Sequence, residues 1–220
     1  MQDTAHVHGT LGAVCQMQGD HVTGEQHFRR AWELTEVATS RDQLPGALND
    51  MGHCMRQLGR FNEAEDFFDQ ARTVALQTGL QRSLAVTDLN RLSLMLVRGD
   101  VEGADSLARE LRARPWFQNP GYLGALEMRM GELARHTGRA QQALSLLDRA
   151  IDKLAGMEVD ARMQAMLERG QALLALGRRE ETEHCVETVR AWVEAQELGP
   201  LALTRLQLEY LERELVRTGG

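Results

Sequence analysis

Along residues 48–71 the apolar side chains return every three or four positions: Leu48, Met51, Met55 and Leu58, then, beyond Gly59 and Arg60, Phe61, Ala64, Phe68 and Ala71. That spacing places each set on one face of a helix, so the stretch predicts a helix, a tight turn and a second helix. The pattern recurs. Glycines followed by polar or basic residues stand at Gly19, Gly59, Gly99, Gly138 and Gly177, at intervals of 40, 40, 39 and 39 residues. Seven residues before four of them lies a second glycine, at Gly12, Gly52, Gly131 and Gly170, with Leu92 at the equivalent place in the third unit. Two series in one register mark a repeat protein whose units bury their apolar faces against their neighbours.

The two series have different physical reasons. A glycine at the end of a helical run supplies the left-handed conformation that closes the helix, and the polar residues after it (Asp20, Asn62, Asp100) start the next, with Asn62 and Asp100 as candidate N-caps. A glycine inside a helix lets a second backbone come close. Downstream of each turn, Gly24 and Ala31, Ala64 and Ala71, Ala104 and Leu111, Ala143 and Ala150, and Thr182 and Val189 occupy the matching seam positions. Helices are predicted near 4–18 and 21–38, 43–58 and 61–78, 82–98 and 101–113, 120–137 and 140–155, 157–176 and 179–196, with a last one near 200–217. The irregular stretch 113–121, which holds Pro115, Trp116, Phe117 and Pro120, reads as a hinge between the third and fourth pairs.

Composition agrees and narrows the function. The 220 residues are 43% hydrophobic, 26% charged and only 5% aromatic, with one isoleucine, Ile151, which suits an all-α chain with a core. The formal charge of -7, with no arginine-rich helical face, argues against direct nucleic-acid binding. Lys153 is the sole lysine among 25 basic residues, a bias expected of a GC-rich bacterial genome. Cys15, Cys54 and Cys185 are odd in number and far apart, which fits a reducing cytoplasm and neither a disulfide framework nor a zinc site. No export signal or membrane span is recognisable. Phosphate loops, GxGxxG, HExxH and GxSxG elbows are all missing, so no catalysis, metal or cofactor is expected.

Leu11-Gly12, Cys15, Gly19-Asp20, Phe28 and Ala31, and likewise Met51-Gly52, Met55, Gly59, Ala64, Phe68 and Ala71, resemble the large and small positions of the tetratricopeptide repeat. The period is longer than that family's usual unit of about 34 residues, and resembles the long-period arrays of bacterial regulators and peptide-pheromone receptors; HEAT repeats match the length but not the glycine and alanine positions. The resemblance implies a right-handed α-solenoid of five helix pairs plus a C-terminal helix, one domain over 1–220 with units near 4–38, 43–78, 82–113, 120–155 and 157–196.

In such a solenoid the first helix of each pair lines the concave wall. Alignment on the turn glycines puts Asn49, Asp50, His53 and Arg56 there, then Asn90 and Ser93, then Arg129, Glu132 and Arg135, then Glu168 and Gln171. Asparagine bonds a peptide main chain whatever its side chains, and arginine forks to a carboxylate, so the wall is expected to hold a protein or peptide segment by its main chain and acidic end. On the C-terminal helix Leu201, Leu208, Leu211 and Leu215 form one stripe, while Leu203, Leu206 and Tyr210 fall on another side, expected to meet a second copy or a flanking domain. The expected function is a non-catalytic binding scaffold, the ligand-sensing or partner-docking part of a bacterial cytoplasmic regulator. Its rival is a structural or oligomerisation module acting through the convex face or the terminal helix.

Overall fold

A computed structural model describes residues 2–37, 41–156, 159–195 and 202–218. Eleven α-helices follow one another within them: α1 (Gln2–Met17), α2 (His21–Glu36), α3 (Leu44–Gln57), α4 (Phe61–Thr78), α5 (Gln81–Arg98), α6 (Val101–Arg112), α7 (Pro120–His136), α8 (Ala140–Leu154), α9 (Val159–Ala175), α10 (Arg179–Glu194) and α11 (Ala202–Thr218). A short 3-10 helix, Pro115–Gln118, joins α6 to α7, and no strand occurs among the described residues. None of these helices is long and apolar enough to cross a membrane.

All five turn glycines have φ between +72° and +81°. Each turn closes alike: the glycine N–H donates to the carbonyl three residues back, and the next residue's N–H to the carbonyl five back, as in Arg60 N to Met55 O at 2.8 Å and Arg139 N to Ala134 O at 2.8 Å. A side chain at these glycines would force an L-residue into a conformation it rarely adopts. Asp20 caps α2, its Oδ1 accepting from Thr23 N at 3.0 Å. Asn62 does not cap α4, which already begins at Phe61; its Oδ1 instead accepts from Arg98 Nη2 at 2.8 Å.

The interior glycines are packing positions. A Cβ on Gly52 would lie 2.5 Å from the Phe68 ring, one on Gly12 2.7 Å from Phe28, and one on Gly131 2.7 Å from Leu147. Across the seam every small residue named from the sequence is buried, Ala64, Ala71, Ala104, Ala143 and Ala150 completely.

The helices form two compact units, Met1–Asp100 and Val101–Gly220, so the division falls at the turn of the third pair. The proline and aromatic stretch lies inside the second unit, where Phe117 is wholly buried. In the first unit α1 packs on α2 and α3, α3 on α4 and α5, and Phe28, Met51, Met55, Ala64, Phe68 and Leu94 share one core. In the second, α7 packs on α8 and α9, and α11 lies on α9 and α10 through Leu208, Leu211 and Leu215. First helices therefore stand side by side within each unit.

Candidate functional site

One polar position recurs nine residues before every turn glycine: Thr10, Asp50, Asn90, Arg129 and Glu168. Four of the five side chains are bonded within the chain. Thr10 Oγ1 donates to His6 O at 3.0 Å. Asn90 Nδ2 donates to Asn49 Oδ1 at 3.3 Å, and Asn49 Nδ2 to Thr87 Oγ1 at 2.8 Å and Pro45 O at 2.9 Å. Arg129 Nη1 meets Glu132 at 3.0 Å, and Arg135 Nε meets Glu168 at 2.9 Å, with Gln207 Nε2 reaching the other Glu168 oxygen at 3.5 Å.

These bonds correct the expectation of an open wall. Asn49, Ser93 and Glu168 are buried, at 5%, 7% and 5% exposure, and Asn49 and Glu168 act as structural polar groups that tie neighbouring helices together. Burial pushes the Glu168 carboxyl up, Arg135 pulls it down and Glu132 opposes Arg135, with the net shift upward. Arg129 and Arg135 are engaged with carboxylates of their own unit, which leaves the acidic end of a peptide no unpaired fork there. His53 Nδ1 lies 3.1 Å from Gln16 Oε1 across α1 and α3, while Arg56 and Gln171 are half-buried. The Asn49–Asn90 pair belongs to the first unit and the Arg129–Glu132–Arg135–Glu168 network to the second.

Asp50 differs. Its carboxylate has no side-chain partner among the described residues, and it lines a cleft of about 430 Å³ in the first unit, within the size range of ligand sites. Ala5, Gly9 and Ala13 of α1, four residues apart, form one wall; Gly46, Ala47 and Asp50 of α3 form the other; Ala31 and Thr35 of α2 complete the lining. A Cβ on Gly9 or Gly46 would meet nothing within 4 Å, unlike those of Gly12 and Gly52. Neither glycine has a positive φ. Gly9 and Gly46 escaped the sequence reading, although their position outside both glycine series was the available signal.

Asp50 is exposed to water at the mouth of this open cleft, yet the protein packed around its carboxyl removes part of its solvation, and this desolvation pushes it up to about 7. His6 is the other titratable group lining the cleft. A carboxyl raised on folding binds protons more tightly in the folded chain, so its contribution to stability is present at low pH and is lost as pH rises from the ordinary carboxylate range through about 7. Asp50→Asn is therefore expected to change the thermal midpoint little at pH 3, below the unfolded carboxyl's range, and to raise it clearly at pH 8; the same change at both values would refute the desolvation.

The remaining chemistry is structural. Cys54 and Cys185 are buried, their thiols pushed up by burial; Cys54 Sγ donates to His21 O at 3.7 Å and Arg169 Nη1 donates to Cys185 Sγ at 3.2 Å. Cys15 is half-buried. Among the described residues no group of three His, Cys, Asp or Glu is placed to hold a metal ion. On α11 Leu206 and Tyr210 are 60% and 49% exposed; Leu201 and the Leu203 side chain lie outside the described residues.

A tetratricopeptide repeat family model matches residues 3–77. No curated protein sequence matches the chain. Among solved structures, a thermophilic TPR protein of Thermus thermophilus, TTC0263, is 17% identical, with 96% of this chain and 99% of that one covered and a TM-score of 0.64. BtubC (BKLC) from P. vanneervenii is 20% identical over 86% of this chain and 81% of its own, at a TM-score of 0.61. The Rap conjugation gene regulator of the plasmid pLS20, solved with the Phr* peptide, is 15% identical at a TM-score of 0.66; the match spans 99% of this chain but 64% of that one. The tetratricopeptide repeat model thus covers the first two helix pairs, and the paired helices and turn glycines of the later units share the fold of the tetratricopeptide repeat structures that the chain resembles.

Proposed function

We propose that the chain is a non-catalytic scaffold that docks a peptide or partner segment against its first helices, and that in the first unit the cleft between α1 and α3 receives it. Gly9 and Gly46 carry this reading. Gly9, inside α1, costs its helix about 1 kcal/mol relative to alanine, Gly46 lies in the first turn of α3, and neither is required by a neighbour or by its backbone angles. What their bare backbones provide is space on facing walls of one cleft. The fold likeness to a regulator solved with a peptide supports a finer reading, that this is the ligand-sensing part of a bacterial cytoplasmic regulatory protein. A ligand bridging adjacent first helices would then favour one arrangement of the pairs and bias an attached domain.

A fluorescently labelled pool of random hexapeptides tests the cleft. Gly9→Leu combined with Gly46→Leu is expected to abolish binding while the thermal midpoint holds or rises, because both side chains enter open space in helices. Binding that survives the filled cleft would overturn the assignment. The exposed Leu206 and Tyr210 favour a second reading, assembly with another copy or a flanking domain through α11. Light scattering over rising concentration tests homodimerisation, and a monomer throughout would sink it.

A further inference from the structure

We propose that the segment docking between α1 and α3 presents a positive group, an ammonium or a guanidinium, to Asp50. The inference rests on the cleft being the docking site and adds the chemistry of its occupant. Asp50 is the one carboxylate among the residues lining the cleft, and no arginine or lysine lines it. At the four other places where its repeat position occurs, the polar side chain is bonded inside the chain, to His6, Asn49, Glu132 or Arg135. Asp50 alone of the five lacks such a bond. A carboxylate stripped of part of its water shell without a partner is unfavourable, and the chain has not relieved it by lining the cleft with a lysine or arginine. A ligand that supplies the cation relieves it on binding, through a charge-assisted bond. Above pH 7, where Asp50 is ionised, an acidic group would meet like charge and a neutral amide would leave the charge uncompensated. Small walls at Ala5, Gly9 and Ala13 leave room for the stem of a basic side chain or for the start of a peptide backbone.

The two sources of that group are separable. Hexapeptide pools are synthesised with one position fixed as lysine, arginine, norleucine or glutamate, each with a free or an acetylated N-terminus, and their affinities for the full chain are measured by fluorescence polarisation. For a basic side chain, the acetylated lysine and arginine pools are expected to bind at least about tenfold tighter than the norleucine pool, the size of a hydrogen bond to a charged group. For a peptide N-terminus, the free-amine pools outbind the acetylated ones whatever the fixed residue. In either case Asp50→Asn, a substitution of the same shape at a site with no internal bond, collapses the preference and leaves the residual binding of the norleucine pool. A preference that survives Asp50→Asn, the absence of any preference, or tightest binding of the glutamate pool overturns the inference. If Gly9→Leu with Gly46→Leu abolishes all binding while no basic preference exists, only the role of Asp50 fails. If the filled cleft binds every pool as before, the docking reading fails as well.

Discussion

Phe68→Ala is expected to destabilise the first unit by about 3–5 kcal/mol, the cost of removing a large ring from a close-packed core. Phe68 has no exposed surface and sits among Met51, Met55, Ala64 and Leu94, with its ring over the bare backbone of Gly52. Because repeat proteins unfold by neighbouring units, the clean measurement is the loss of amide protection in α3 and α4. The contact with Gly52 adds a sharper test. Gly52→Ala alone drives a methyl to within 2.5 Å of the ring and should cost about 1–3 kcal/mol by overpacking. In the Phe68→Ala background the same methyl enters the vacated space, so the double variant should be more stable than the two single effects predict. Strictly additive effects would mean that ring and glycine do not meet.

Arg149→Met together with Lys153→Met is expected to destabilise the second unit by about 3–5 kcal/mol, the penalty for leaving a buried charge without its partners. The charge is Glu127 of α7, 2% exposed, which accepts from Arg149 Nε at 3.0 Å through one oxygen and from Lys153 Nζ at 2.7 Å through the other. Adding Glu127→Met should recover most of the loss, since an apolar group of similar volume replaces a buried ion pair at little net cost. Failure of the third substitution to rescue the first two, in a urea titration, would show that Glu127 is not the stranded group.

The repeat was legible because its signals are local. A glycine that must adopt positive φ at the end of a helix, and an alanine that must admit a neighbouring backbone, declare themselves within one turn of chain, and Gly19, Gly59 and Ala64 do so. The polar wall was less legible, since whether a side chain is exposed depends on residues tens of positions away. Asn49 reads as a surface asparagine until Thr87 is brought against it, and Glu168 as a solvated acid until Arg135 covers it. Asp50 is legible in the sequence only by its repeat position; its isolation follows from what its equivalents do. On α11 the buried and exposed stripes followed the helical period, with Leu208, Leu211 and Leu215 inside and Leu206 and Tyr210 outside.

In the first, second and fourth pairs the notch above the inner glycine is filled from the pair's own second helix, by Phe28, Phe68 and Leu147. At Gly170 the filling side chain is Leu211, whose Cδ2 lies 2.6 Å from where a Cβ would stand, and it comes from α11. The fifth pair therefore does not end with its second helix. A shortened chain cut after Glu194 would lose that plug and expose the apolar surface of α9 to solvent, so a protease-defined fragment of this protein should retain α11.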